Sequence, residues 1–164
     1  MIPPIIRVLL IGSSPLAAQA SAHMRCYPEL IVNHLVGPSA YPLDYQGAAA
    51  AFAPDVILIE TLCLALPDCG GLTALMQMAP VVLLGNEPDE DLVLEGLKLG
   101  ARGHIDWPTE GCARLPAAIR TVVSGSPALS PRITAHLLSH LRRQWLQDAL
   151  HTTRGLAVQR GVAG

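Results

Sequence analysis

The segment Pro54-Asp55-Val56-Ile57-Leu58-Ile59 gives the clearest indication of the fold of this 164-residue chain. Its four consecutive apolar residues are mostly β-branched, and Pro54 and Asp55 bound the run on one side. An apolar run this short is typical of a strand, and apolar side chains at every position require that both faces of the strand be buried. The segment therefore predicts an internal strand of a parallel sheet.

Two further runs of the same kind occur at residues 5–11 and 81–84, and weaker strand candidates lie at residues 30–36 and 103–106. Repeated alternation of strand and helix predicts an α/β fold, a doubly wound five-stranded parallel sheet with helices on both faces. Ligands of such folds bind at the carboxyl ends of the strands, so the residues just after each apolar run are the candidates for function. The predicted helices lie at residues 15–26, 45–53, 71–78, 89–99 and 110–123.

The chain changes character after Gly125. Residues 126–131 form a predicted turn, in which Ser130 and Pro131 have the residue types that begin a helix. No Gly or Pro follows until after Thr153, and apolar residues recur there at three- and four-residue spacing, which indicates an amphipathic helix. We therefore divide the chain into a domain at residues 1–125 and a linker turn with a C-terminal helix at residues 126–164, whose end should fray from Gly155.

Composition narrows the functional classes. Hydrophobic residues make up 51% of the chain and aromatic residues 4%, so an aliphatic core is expected. Residues 1–130 contain six basic and twelve acidic residues, net −6, whereas residues 131–164 contain five and one, net +4. The four cysteines show no metal-ligand spacing and are expected to be free thiols. No targeting segment or membrane span is evident, so we expect a soluble, cytoplasmic protein without a membrane partner.

Several short motifs then carry a resemblance to a known family. They are Pro54–Ile59 with the loop Leu66-Pro67-Asp68-Cys69-Gly70-Gly71-Leu72, then Pro80-Val81-Val82-Leu83-Leu84, then Leu97-Lys98-Leu99-Gly100-Ala101-Arg102-Gly103-His104-Ile105, and finally residues 124–132. In this order and spacing they resemble the receiver domain of response regulators, particularly the NarL/FixJ-type subfamily. The resemblance covers residues 5–140 and implies a flavodoxin-like (CheY-like) fold.

The same resemblance implies a phosphorylation site, and this chain departs from it at five positions. Receivers carry two acids after the first strand, a phosphoacceptor Asp after the third, a Thr or Ser after the fourth and a Lys after the fifth. Those positions fall here on Gly12, Ser13, Glu60, Gly85 and Trp107. One carboxylate is a poor Mg²⁺ site, and without Mg²⁺ and Lys nothing offsets the charge of a transferring phosphoryl group. We therefore predict a pseudo-receiver with no catalytic residue, metal or cofactor.

Alternatives remain open at several of these residues. Glu60 either mimics the phosphorylated state or has drifted after the pocket lost its use. Gly12-Ser13-Ser14 either binds a small anion or is a turn in which Ser14 caps a helix, and we favour the turn. Trp107 either fills the space of the missing Lys or anchors a partner. His104, at the family's aromatic switch position, is expected to be a partly buried ring, and His136 and His140 are expected to lie on a solvated face.

The amphipathic C-terminal helix predicts an association surface. Its stripe of Leu137, Leu138, Leu141 and Trp145 would not remain bare in solution, which suggests a homodimer or docking to another signalling or regulatory protein. Residues 146–164 show no helix-turn-helix pattern, so direct DNA binding by this chain alone is not expected. The alternatives are a truncated or partner-dependent DNA-binding regulator and a small-ligand sensor that uses the vacated pocket. An enzyme is the least favoured class.

Overall fold

The computed structural model describes residues 4–36, 44–65, 70–85 and 90–161. Five parallel strands form one sheet in the order β2-β1-β3-β4-β5. This topology confirms the predicted doubly wound α/β fold. The strands are β1 (Ile6–Ile11), β2 (Leu30–Leu35), β3 (Val56–Glu60), β4 (Val81–Gly85) and β5 (Gly103–Asp106). The helices are α1 (Pro15–Met24), α2 (Tyr45–Phe52), the 3-10 helix η1 (Thr61–Ala65), α3 (Gly70–Met78), α4 (Glu90–Leu99), α5 (Trp107–Val123) and α6 (Pro131–Gly161).

The three central strands carry the core. Every residue of β3 and β4 is buried, as the continuous apolar runs require of strands that are covered on both faces. The largest fully buried side chains are aliphatic, including Leu10, Leu58 and Leu84. The core is therefore aliphatic, in line with the low aromatic content.

The register of the sheet aligns the carboxyl ends of its central strands. Ile11 pairs with Ile59, Glu60 pairs with Leu84, and Gly85 pairs with Asp106. Because all five strands are parallel, the residues that follow them meet at one end of the sheet, which we call the carboxyl edge. The candidate positions from the sequence, from Gly12 to Trp107, therefore lie along this edge.

Two helices differ from the sequence prediction. α5 begins at Trp107, three residues early, because Pro108 is acceptable in a first helical turn; a break follows at Gly111, whose φ of 52° only glycine adopts readily. α6 extends to Gly161 and so includes Gly155, the residue from which the sequence predicted fraying. A single interior Gly costs a helix only about 1 kcal/mol, and the following Leu, Ala, Val and Gln tolerate helical conformation.

The residues between α5 and α6 pair with β5, the last strand of the sheet. Ala128 forms a parallel bridge with Gly103 of β5. Its amide donates to the Arg102 carbonyl oxygen at 3.0 Å, and its own carbonyl oxygen accepts from the His104 amide at 2.9 Å. A Cβ atom on Gly103 would lie 2.9 Å from that carbonyl oxygen, so glycine is required for this close approach. The Arg114 side chain adds a hydrogen bond to the Leu129 carbonyl oxygen at 2.8 Å.

The chain forms two compact units, residues 1–130 and residues 131–164. The linker turn at residues 126–130 thus belongs to the first unit. Among the residues that the structure describes, no helix is both long and apolar enough to cross a membrane.

A strained residue at the end of α2 gives a first prediction. Ala53 has φ 50° and ψ 66°, the left-handed conformation, and caps the helix by donating its amide to the Ala49 carbonyl oxygen. We expect Ala53→Gly to raise the free energy of unfolding by about 0.5–1 kcal/mol, because glycine adopts this conformation without a Cβ clash. Urea denaturation would measure the change. The matched control is Ala50→Gly at an exposed position inside α2, which should lower stability by a similar amount.

Candidate functional site

Glu60, at the end of β3, lies at the centre of the carboxyl edge. Its side chain is buried, with 4% of the residue exposed. The Oε2 atom accepts hydrogen bonds from the backbone amides of Ser13 at 3.2 Å and Ser14 at 3.3 Å. These amides stand at the start of α1, where unpaired N–H groups and the helix dipole favour an anion. The anion bound there is a carboxylate of the chain itself.

Gly12 makes this arrangement possible. A Cβ atom at position 12 would lie 2.8 Å from both the Ala17 Cβ atom and the Glu60 Oε2 atom. No side chain fits between those atoms without displacing Glu60 or α1. The acid that the family places in this loop is therefore incompatible with the position that the Glu60 carboxylate occupies.

His34 is a neighbour that the sequence analysis missed. Its Nε2 atom lies 3.0 Å from the Gly12 carbonyl oxygen. A carbonyl oxygen can only accept, so this ring nitrogen carries the hydrogen of the bond. The sequence signal was weak, since His34 is a polar residue near the end of a strand that is only partly buried.

Ser14 caps α1, as the favoured interpretation of this loop predicted. Its Oγ atom accepts a hydrogen bond from the Leu16 amide at 3.2 Å, and Pro15 occupies the first helical position. A Ser cap followed by Pro is a common way to begin a helix. The loop thus combines a side-chain cap with backbone amides that hold the Glu60 carboxylate.

Gly85, at the end of β4, is covered by two side chains from other elements. A Cβ atom at position 85 would lie 3.0 Å from the His104 Nε2 atom and 3.2 Å from the Thr61 Oγ1 atom. Thr61 is buried, and its hydroxyl is 3.5 Å from the Leu84 carbonyl oxygen. A hydroxyl therefore stands beside position 85, but the residue after Glu60 supplies it. The sequence analysis did not single out Thr61.

His104 is fully buried, which corrects the expectation of a partly buried ring. Only 1% of the residue is exposed, and neither ring nitrogen has a hydrogen-bond partner among the described residues. Burial lowers the pKa of His104 to about 4; the nearby Asp106 acts in the opposite direction, and Arg114 lowers the pKa further. The ring is accordingly neutral near pH 7. The small residue at position 85 explains the burial, because it leaves room for the ring.

Trp107 and Asp106 follow β5. Trp107 is half-buried and packs against the core, and its Nε1 atom donates to the Gln19 side chain of α1 at 3.3 Å. Asp106 is buried, and its Oδ2 atom accepts from the Thr109 hydroxyl at 2.8 Å. Both side chains thus have structural roles near the start of α5.

The residues present do not fit a Mg²⁺ site of the receiver type. At the three positions where that family has acids, only Glu60 is a carboxylate, and its Oε2 atom already accepts two amide hydrogens. Mg²⁺ prefers oxygen ligands in near-octahedral geometry, but Gly12 has no side chain and Ser13 has only a neutral hydroxyl, so neither position supplies a carboxylate. Across the described part of the chain, no group of three His, Cys, Asp or Glu side chains is placed to hold a metal ion.

Residues 66–69, which carry the Leu-Pro-Asp-Cys part of the resemblance, lie outside the described residues, and so do residues 86–89, which follow Gly85 in the sequence.

α6 is described by itself. Leu138 and Trp145 are exposed, at 62% and 69%, and so are Leu146 and Leu150. Leu137 and Leu141, which the sequence placed in the same stripe, are half-buried. His136 and His140 are also half-buried, so the solvated face expected for them was wrong. The exposed apolar surface therefore lies farther along the helix than predicted.

A prediction tests the contact between Glu60 and α1. Glu60→Gln should lower the free energy of unfolding by about 1–2 kcal/mol, because a neutral amide oxygen accepts hydrogen bonds less strongly than a carboxylate. Chemical denaturation at pH 7 would measure it. Glu95→Gln, on the exposed face of α4, is the matched control and should change stability by less than about 0.5 kcal/mol.

The strand order and the flanking helices are those of the fold of response-regulator receiver domains. A crystal structure of a two-component response regulator of the LuxR family from Aurantimonas sp. SI85-9A1 superposes with a TM-score of 0.65 and 19% identity, over 83% of this chain and 97% of that one. No protein-family model matches the chain.

Two sequence relatives are transcriptional regulators by name. The chain is similar to the transcriptional regulatory protein YdfI of Bacillus subtilis, with 28% identity over 118 residues, covering 67% of this chain and 54% of the relative. It is also similar to the transcriptional regulatory protein LiaR of the same organism, with 26% identity over 144 residues, covering 84% and 65%. The chain thus spans between about half and two thirds of the length of these relatives and contains a domain of the receiver fold.

Proposed function

We propose that this chain is a pseudo-receiver that acts without phosphorylation, as a protein-association module in signal transduction or transcription control. The observation that carries the proposal is the Glu60 carboxylate, held by the Ser13 and Ser14 amides where a receiver would need a metal and a phosphoacceptor. A site already filled by its own anion is a poor acceptor for a second one. We infer that Glu60 stabilises the loop and does not report a signal.

The remaining positions support the same proposal. Trp107 stands where a cation would offset phosphoryl charge, and its indole is hydrogen-bonded to Gln19. The His104 ring lies over Gly85, where a switch hydroxyl would respond. Transfer of a phosphoryl group depends on positioned positive charge, and none of Gly12, Ser13, Glu60, Gly85 and Trp107 is a Lys or Arg.

Treatment with acetyl phosphate and Mg²⁺ followed by intact mass measurement tests the proposal. We expect the mass to stay unchanged, while a receiver domain with the complete residue set gains one phosphoryl group in the same buffer. A phosphorylated fraction of this chain that is lost in Glu60→Gln would overturn the proposal.

We further propose that α6 makes the association surface and that the chain is a homodimer. Leu138, Trp145 and Leu146 together expose an apolar face on a helix with a net positive charge, and such a face favours burial against protein. We expect Trp145→Glu to convert the dimer to a monomer in light scattering, because a carboxylate would be desolvated in the contact. Gln147→Glu, an exposed change of equal charge on the opposite side of the helix, is the control and should leave the dimer intact. A wild-type chain that is monomeric at all accessible concentrations would contradict the dimer.

A partner-dependent role in DNA binding is the second candidate. The names of both sequence relatives and the exposed Arg142 and Arg143 favour it. It predicts duplex DNA binding that weakens steeply with salt and is lost in the double Arg→Ala variant. The small-ligand sensor is less favoured, because the Glu60 side chain takes up the amides that would hold an anionic ligand.

A further inference from the structure

Basic residues lie among the exposed apolar side chains of α6. Exposed Arg142 and Arg143 stand among the exposed apolar side chains of α6, between Leu138 and Trp145 in sequence. α6 has five arginines and one aspartate, net +4. Two such helices packed against one another would bring like charges together, and like-charge contacts oppose association.

The outward face of α4 has the complementary chemistry. Asp91 and Glu95 are exposed there, one helical turn apart, and Leu99 follows on the same face with 44% exposure. η1 packs against α4 through Leu64, which lies beside the buried Gly96, and its Leu62 is 63% exposed. We call Asp91, Glu95, Leu99 and Leu62 the α4–η1 face. It combines acidic groups with exposed apolar ones.

One cation on this face is already paired. Lys98 donates to Glu95 at 2.7 Å, and both side chains are about half exposed or more. An exposed pair of this kind contributes little stability, so a second cation can share or replace Lys98 at small cost. Asp91, Glu95 and Lys98 together give this face a net charge of −1.

We propose that the occupant of the exposed α6 face is a second copy of this chain, and that α6 of each copy binds the α4–η1 face of the other. This proposal rests on the homodimer proposed above and specifies its contact. A two-fold dimer of this kind uses the contact twice, so one helix–helix surface contributes two equal areas. Arg142 and Arg143 then face Asp91 and Glu95 instead of their own copies.

Charge exchange between the two surfaces tests the proposal. The body variant is Asp91→Asn with Glu95→Lys, in which Asn avoids a cation in the first turn of α4. The tail variant is Arg142→Glu with Arg143→Glu. We expect each variant alone to dimerise at least about tenfold more weakly than the wild type, because each brings like charges together. Sedimentation equilibrium would measure the dissociation constants, and circular dichroism would check folding.

Mixing gives the sharper result. The body variant retains its basic α6 and the tail variant retains its acidic α4, so an equal mixture should form heterodimers with nearly wild-type affinity. A chain that carries all four substitutions should also recover the homodimer. A body variant that dimerises as the wild type does, while the tail variant fails, would overturn the α4–η1 contact and leave the proposed dimer standing. A wild-type chain that is monomeric would instead remove the proposed dimer itself.

Discussion

Gly85→Thr is expected to lower the free energy of unfolding by about 3 kcal/mol, at the upper end of what overpacking costs. A Cβ atom at this position would approach the His104 ring to 3.0 Å and the Thr61 hydroxyl to 3.2 Å, and threonine adds two further heavy atoms. The residue that the family uses at this position is therefore excluded by the side chains that now surround it. Urea denaturation at pH 7 would measure the loss, and Gly85→Ala should lose a smaller amount.

A double-mutant cycle identifies the cause. His104→Ala alone leaves a cavity in the core and should also destabilise the domain. If the ring of His104 is what excludes threonine, the combined variant should lose less than the sum of the two single losses, by about 1–2 kcal/mol. Additive losses would show that Thr61 or the backbone, and not His104, restricts position 85.

Acid should destabilise the domain through His104. The unfolded chain takes up a proton on this ring near the ordinary pKa of 6.5, whereas burial lowers the pKa in the folded domain to about 4. The contribution of His104 to the free energy of unfolding is therefore fully present above pH 6.5, falls as the pH drops from 6.5 to about 4, and changes no further below that. The full loss is roughly 3 kcal/mol, since each pH unit between the two pKa values contributes about 1.4 kcal/mol.

The comparison with His104→Leu isolates this effect from other titrating groups. Protonation of carboxylates such as Glu29, whose pKa is lowered by the hydrogen bond from the Arg120 side chain, also destabilises the domain in acid. That loss is the same in the wild type and in His104→Leu. The difference in unfolding free energy between wild type and variant should change by about 2 kcal/mol from pH 7.5 to pH 5. An unchanged difference would mean that His104 gains a hydrogen-bond partner or reaches solvent in solution.

The sequence was sufficient for the fold because its signals are local. The runs that became β1, β3 and β4 are apolar at nearly every position, which a buried parallel strand requires, and the helix from Pro15 has its Ser cap. The departure of Gly12 and Gly85 from the receiver pattern was also readable, because it follows from sequence position alone.

The contacts made at these positions could not be predicted. The Glu60 carboxylate accepts from the amides of Ser13 and Ser14, which precede it in the sequence by 47 and 46 positions. This contact depends on the register between β1 and β3. The burial of His104 depends on the absence of a side chain at Gly85, on a neighbouring strand. Such pairings arise from tertiary packing, which the properties of single residues do not encode.

The bridge between Ala128 and β5 has a consequence for anyone who truncates this protein. Without residues 126–130, the Arg102 carbonyl and the His104 amide would be bare at the rim of the sheet, where they invite edge-to-edge stacking with another molecule. A fragment ending at Gly125 should then precipitate or form β-rich aggregates, while one ending at Ser130 should remain dispersed. Turbidity of the two fragments on warming would reveal whether five residues outside every named strand keep the sheet from polymerising.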